Sequence, residues 1–287
     1  MQNITDKQIF EALREHVKPA KLTQLLVDIT NEAMEDDEGR DMVITSLGLT
    51  PRVKEPITRP YNLTEYTVKK VYPKFNLAAI PLLLKYAPVY GVITKKQFCA
   101  FVATMIIESR GFNAKRESFN YRPERLLEVF PRYRIPNLEF ARNLVAQGQP
   151  AIANHLYNGR YGNRKGSNDG WDYRGGGPIQ LTFRKNYQGA EDRLGIPLVN
   201  NPELIEELDV GILTAFDFWR NKRINELADG INVYSDGYTL NTLNSRGVET
   251  KNYRMNTGIV NVRKRVNGGD NGLEEFAKYF ELCMEWF

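Results

Sequence analysis

The segment "MIIESRGFNAKRESFNY", residues 105–121, places two carboxylates, Glu108 and Glu117, nine positions apart. Glu108 directly follows the apolar run "MII", where partial burial helps a carboxyl keep a proton, as a general acid requires. Glu117 follows Lys115 and Arg116, whose charges favour an ionised carboxylate able to activate water. Glycosidic cleavage with inversion uses such an acid and base about 6.5 to 9.5 Å apart, with a water between them. The spacing alone fits two solvated surface charges equally well. A second segment makes the chemistry more specific.

That segment is "WDYRGGGPIQLTFRKNY", residues 171–187. Three consecutive glycines let backbone approach a ligand closely, and Gln180, Thr182 and Asn186 offer neutral hydrogen-bonding groups suited to a water or a sugar amide. No "GK[ST]" follows the glycines, which argues against a phosphate loop. Trp171, Tyr173 and Tyr187 are aromatic rings that stack on sugars or fill a core.

These residues need helices to position them. In "ITKKQFCAFVATMIIES", Phe98, Phe101, Val102, Met105 and Ile106 fall on one helical face, Thr94 caps the start and Gly111 ends the run. Glu108 then lies in the last turn and Glu117 in the irregular segment beyond it. Further helices are expected over 137–157, 183–194, 202–222 and 271–286, with a long loop or small hairpin over 230–260. The proline-containing stretch "LTPRVKEPITRPYNLT", residues 49–64, reads as an extended linker. It sets a boundary near residue 60 between a small helical N-terminal segment, 1–60, and the larger part, 61–287.

Composition narrows the class. With 42% hydrophobic and 26% charged residues, the 287-residue chain is suited to a soluble globular fold. Its longest apolar runs are far shorter than the roughly 20 residues of a membrane helix. The N-terminus has no basic region followed by an apolar one, so synthesis in the cytoplasm without a secretory signal is expected. Cys99 and Cys283 sit among apolar neighbours and are expected as reduced, buried thiols. His16 and His155 lie far apart, and no His/Cys cluster has metal-ligand spacing, so neither a metal nor a cofactor is expected. Residues 1–63 hold 8 basic against 11 acidic residues and the remainder 31 against 24. The larger part is thus basic, as suits an acidic polymer such as a cell wall. No basic cluster interleaved with aromatics points to nucleic acid.

Seven segments, "MIIESRGF", "RESFNYRPERLLEVFPRY", "AIANHLYNGRYGN", "DGWDYRGGGPIQLTFRKNY", "NNPEL", "AFDFW" and "RVNGGDNGL", occur in the order found in bacteriophage endolysins of glycoside hydrolase family 19, the chitinase-like lysozyme group. From about residue 64 to 287 the chain resembles that family. The resemblance implies a mainly α, α+β lysozyme-like catalytic domain of two helical lobes around a central groove, and inverting hydrolysis. Glu108 would be the general acid and Glu117, in the "R-E-x-x-x-Y" segment, the general base, with Tyr121 of that segment an expected substrate contact. Gln180, Thr182, Asn186 and Asn267 match groove residues, with Thr182 helping Glu117 hold water; Trp171 and Tyr173 join them as expected substrate contacts.

The sequence departs from the family pattern at Ile107, in place of a frequent His, and at Gly176, in place of the Arg of "RGRG". Glu274 and Glu275 stand where relatives often carry an Arg, so no cationic partner for the acid is evident. The implied function is an endolysin, a muramidase acting on peptidoglycan as a monomer, made in the host cytoplasm and released to the periplasmic wall with the help of a holin. A chitinase, or a wall-binding or virion protein without chemistry, are the alternatives.

Overall fold

The computed structural model describes residues 60–113, 115–231, 237–243 and 249–287. The expected N-terminal segment, 1–60, lies outside the described residues except for its last position. The rest is mainly helical: α1 (Glu65–Val71), α2 (Ala79–Val89), α3 (Lys95–Ser109), α4 (Pro123–Val129), α5 (Leu138–Ala146), α6 (Gln149–Tyr157), a single turn α7 (Asp169–Asp172), α8 (Arg184–Leu194), a 3₁₀ turn (Pro202–Glu206), α9 (Leu208–Asn221), α10 (Ile224–Asp229), α11 (Thr257–Asn267) and α12 (Leu273–Trp286). Strands β1 (Gly237–Leu243) and β2 (Glu249–Asn256) pair antiparallel, so the 230–260 region contains a hairpin. The expected helix over 137–157 is two helices, broken where Gly148 takes φ +89° ahead of Pro150. The one over 202–222 is likewise divided, because the Pro202–Glu206 turn is 3₁₀ and gives way to α9 only at Leu208.

Two apolar cores result. The larger gathers α1, α2, α3, α8, α9, α11 and α12; the smaller is formed by residues such as Phe119, Leu126, Ile135, Ile152 and Leu156 from the 119–156 region. Helix α3 runs through the larger core and is buried around nearly its whole circumference from Gln97 to Ile106, rather than along one face. A helix apolar all round has no solvent face to offer, and neighbours close over it. Phe101 stacks on Phe216 of α9 at 4.0 Å and meets Trp219 edge-on at 5.3 Å. The buried thiols of Cys99 on α3 and Cys283 on α12 are free and neighbour each other. Among the described residues no helix is long and apolar enough to cross a membrane.

Both ends of α3 are fixed by short-range chemistry. Thr94 and Gln97 form a reciprocal capping box, the hydroxyl accepting from the Gln97 amide at 3.2 Å and Gln97 Oε1 accepting from the Thr94 amide at 3.1 Å. At the other end Arg110, Gly111 and Phe112 all adopt positive φ, and the Ser109 hydroxyl accepts from the Phe112 amide. A Cβ on Gly111 would lie 2.7 Å from the Tyr72 ring, so only glycine turns the chain here. The helix therefore stops one residue beyond Glu108 and the chain crosses toward the smaller core, which it joins at Phe119.

Candidate active site

Glu108, in the last turn of α3, is a fifth exposed and faces a guanidinium. Arg263 of α11, itself buried, donates from Nη1 to Glu108 Oε1 at 2.6 Å and from Nε to the Asn271 carbonyl at 2.8 Å. Glu108 therefore has a cationic partner, from a different position than Glu274 and Glu275, both of which are exposed. Asn267, exposed, also donates to the Asn271 carbonyl, at 2.9 Å, and its Oδ1 accepts from the Gly269 amide. The "VNGG" turn thus connects to the Arg263–Glu108 pair through one shared carbonyl.

Glu117 is held by backbone pairing with the glycine run. Its amide donates to the Gly175 carbonyl at 2.8 Å, Gly177 donates to the Lys115 carbonyl at 2.9 Å, and Gly176 pairs with Leu181. Extended pairing sends successive side chains to opposite sides. Glu117 accordingly faces Gly175 while Arg116 points away, donating to Glu206, the Tyr187 hydroxyl and the carbonyls of Arg174 and Pro202. Arg116 is thus committed to the Glu206 side, and its ion pair is with Glu206 rather than with Glu117. Its Nη1 lies 3.3 Å from where a Cβ on Gly176 would stand, so Arg116 fills the space beside the position that the family's arginine would occupy.

The two oxygens of Glu117 both accept hydrogen bonds. Tyr157, at the end of α6, donates its hydroxyl to Oε1 at 2.8 Å, and the Gly175 amide donates to Oε2 at 3.1 Å. Burial first, then the adjacent Glu117 charge, push the Tyr157 phenol far above its ordinary range, so it remains a donor at any working pH. A carboxylate offers about four lone-pair sites, which leaves Glu117 free to accept from a water as well. Tyr157→Phe is expected to lower kcat about tenfold with little change in KM, the size of one lost hydrogen bond to a charged group. Steady-state kinetics on the variant check this.

The remaining predicted residues divide. A Cβ on Gly175 would meet Gln180 Oε1 at 2.8 Å and Glu117 Oε2 at 3.3 Å, so Gln180 and Glu117 converge on one glycine. Gln180 adopts φ +53° and fixes its amide on the Gly177 carbonyl. Thr182 donates its hydroxyl to the Gln180 carbonyl, and Asn186 donates to the Thr182 carbonyl, so these two brace the Gln180 turn. The Tyr121 phenol is raised by burial and then by the Glu117 charge, which places it in the electrostatic reach of that carboxylate. Trp171 is half-buried against the smaller core, with the Arg174 guanidinium stacked on its ring at 3.6 Å. Tyr173 requires a correction: it is 4% exposed and donates to the Val199 carbonyl, so it is a core residue and offers no face to a sugar. Its neighbour Tyr187 is fully buried against it.

The "RKGSND" loop that precedes Trp171 is locked by a buried carboxylate. Asp169, 1% exposed, accepts from the Arg164 amide at 2.8 Å and from its guanidinium at 2.9 Å. Burial opposes the Asp169 charge, but the hydrogen bonds and positive charge of Arg164 outweigh it and hold the carboxyl below its ordinary value. A depressed carboxyl stabilises the fold fully above its unfolded value and loses that contribution as pH falls through the folded one. Asp169→Asn is therefore expected to cost about 2 kcal/mol at neutral pH. The difference from wild type should shrink below about pH 4 in denaturant titrations. Among the described residues no group of three or more His, Cys, Asp or Glu side chains is placed to hold a metal.

Residues 153–277 match the family model of class I chitinases, glycosyl hydrolase family 19. The matched span includes Tyr157, the glycine run, Gln180, Arg263 and Asn267, and begins after both glutamates. A glycosyl hydrolase family 19 domain-containing protein of Haemophilus influenzae is 28% identical over 223 residues, covering 77% of this chain and 96% of the relative. Rice chitinase 11 is 33% identical over 115 residues, covering 39% of this chain and 44% of the relative, so the chain matches under half of that enzyme's length. Chitinase C from Streptomyces griseus aligns in structure over 77% of this chain and 91% of its own, with 19% identity and a TM-score of 0.42. Residues 153–277 thus match a glycosyl hydrolase family 19 (chitinase class I) domain, and over most of its length the chain is similar to a protein carrying such a domain.

Proposed function

We propose that the protein hydrolyses the β-1,4 glycosidic bond of bacterial peptidoglycan with inversion, as the lytic enzyme of a bacteriophage. The observation that supports the mechanism is the setting of Glu117, which accepts at both oxygens and meets Gln180 at Gly175, while the role of Glu108 as acid rests on the resemblance of its segment. Glu108 has one oxygen on the Arg263 guanidinium, and Glu117 accepts at both oxygens from a tyrosine hydroxyl and a backbone amide. In this mechanism Glu108 gives a proton to the departing glycosidic oxygen while Glu117 takes one from the water that attacks the anomeric carbon. Gln180, braced by Thr182 and Asn186, orients that water or the sugar amide beside Glu117. Peptidoglycan is favoured over an uncharged polymer by the basic surplus of residues 64–287, which draws an acidic substrate through long-range attraction. The enzyme would act as a monomer on the periplasmic wall after a holin opens its way from the host cytoplasm.

Chitin is the second reading, favoured by the names of the rice relatives. Incubating wild-type protein with purified sacculi and, separately, with a chitin oligomer decides between them by the fragments released. Muropeptides with reducing ends support the proposal. Cleavage confined to chitin overturns the substrate, and anhydro ends overturn hydrolysis in favour of a transglycosylase.

A further inference from the structure

Tyr157, which holds Glu117, begins a strip of aromatic rings that leads to solvent. Its ring lies 5.1 Å from Phe183, and Phe183 lies 4.9 Å from Tyr161, which is 64% exposed. The Arg160 guanidinium sits over all three, at 6.0 Å from Tyr157, 5.3 Å from Phe183 and 5.8 Å from Tyr161. It donates one long bond, 3.5 Å, to the Leu156 carbonyl, and among the described residues it forms no ion pair.

Ordinary folding does not account for this arrangement. Phe183 has φ +74° and Tyr161 φ +41°, left-handed conformations that cost a residue with a side chain on the order of 1 kcal/mol or more and persist only when surroundings impose them. The surroundings do so through Asn163. Buried, it accepts from the Arg184 amide at 2.8 Å and donates to the Tyr157 carbonyl at 3.2 Å, while Lys185 donates to the Tyr161 carbonyl. The 157–163 turn is thus clipped to the start of α8, and the Tyr161 ring that it carries stands exposed to solvent. An exposed ring on a braced turn beside a cation suits a ligand that is flat and apolar on one face and anionic at its edge.

We propose that Tyr161, with Phe183 and Arg160 beside it, is a glycan subsite continuous with the Glu117 site. Tyr161 stacks on a hexosamine ring, and Arg160 pairs with the carboxylate that a muramic acid residue carries. The assignment rests on the peptidoglycan reading above.

The test measures equilibrium binding to full-length Glu108→Gln protein of two soluble probes, an N-acetylglucosamine hexamer and a tetrasaccharide alternating N-acetylglucosamine with N-acetylmuramic acid. Adding Tyr161→Ala should weaken both about fivefold, and Tyr161→Phe should restore them. Arg160→Ala should weaken only the muramic probe, about threefold. In the otherwise wild-type protein, Tyr161→Ala should raise KM on sacculi and leave kcat unchanged. Equal binding by Tyr161→Ala and its parent, or a parent that binds neither probe, overturns the subsite. Equal losses on both probes for Arg160→Ala overturn the carboxylate contact. Failure of the hydrolase reading looks different: wild type then releases no reducing ends from either glycan, even where Tyr161→Ala still weakens binding.

Discussion

Glu108→Gln and Glu117→Gln are each expected to lower kcat by about 10²- to 10⁴-fold, the range of a positioned general acid or base. Glutamine keeps the shape of glutamate and loses only the proton chemistry, so KM should change little. The consequences for stability differ between the two sites. At Glu117 an amide can still accept from Tyr157 or from Gly175, but one of its two positions becomes a donor facing a donor. At Glu108 the buried Arg263 loses its anionic partner, so Glu108→Gln should unfold at lower denaturant as well as lose activity. The double variant tests whether the pair acts as one unit. If it does, the combined loss is close to that of either single change. Turnover measured alongside a denaturant midpoint separates the catalytic loss from the structural one.

Arg263→Ala is the second large effect, and it arises from burial. Arg263 is 4% exposed, and its guanidinium joins Glu108 of α3 to the Asn271 carbonyl between α11 and α12. Removing one member of a buried ion pair leaves the other charge without compensation, at a cost of about 3 to 5 kcal/mol. Part of that cost is relieved here, because Glu108 is 22% exposed and can rehydrate. Arg263→Lys keeps the charge but not the two-armed geometry that reaches both Glu108 and Asn271. It should regain most of the stability and only part of the turnover. Equal recovery of both by lysine would mean that charge alone matters at this position.

What the sequence reveals and what it hides follow from the range of the interactions. Helix α3 is legible because its signals are local: Thr94 and Gln97 three residues apart, an apolar run, and a glycine where φ must be positive. Glu108 in its last turn follows directly. Arg263 is not legible, because it lies 155 positions from Glu108 and nothing in "IVNVRKRVN" distinguishes the one arginine that is buried from its exposed neighbours. Tyr157 is hidden for the same reason, and Tyr173 misleads because an aromatic near a glycine run serves a core as readily as a sugar. Arg116 and Glu117 show the limit most sharply. Adjacent in sequence, they are sent to opposite sides by the pairing with Gly175–Gly177, which no local pattern announces.

The measurement that tests the central claim most directly is the anomeric form of the first product, followed by NMR during cleavage of a soluble glycan by wild-type protein. Attack of a Glu117-activated water opposite the departing sugar predicts that a β-linked substrate first yields the α-anomer. An initial β-anomer, or an anhydro product without a reducing end, would contradict the pairing of Glu108 as acid with Glu117 as base.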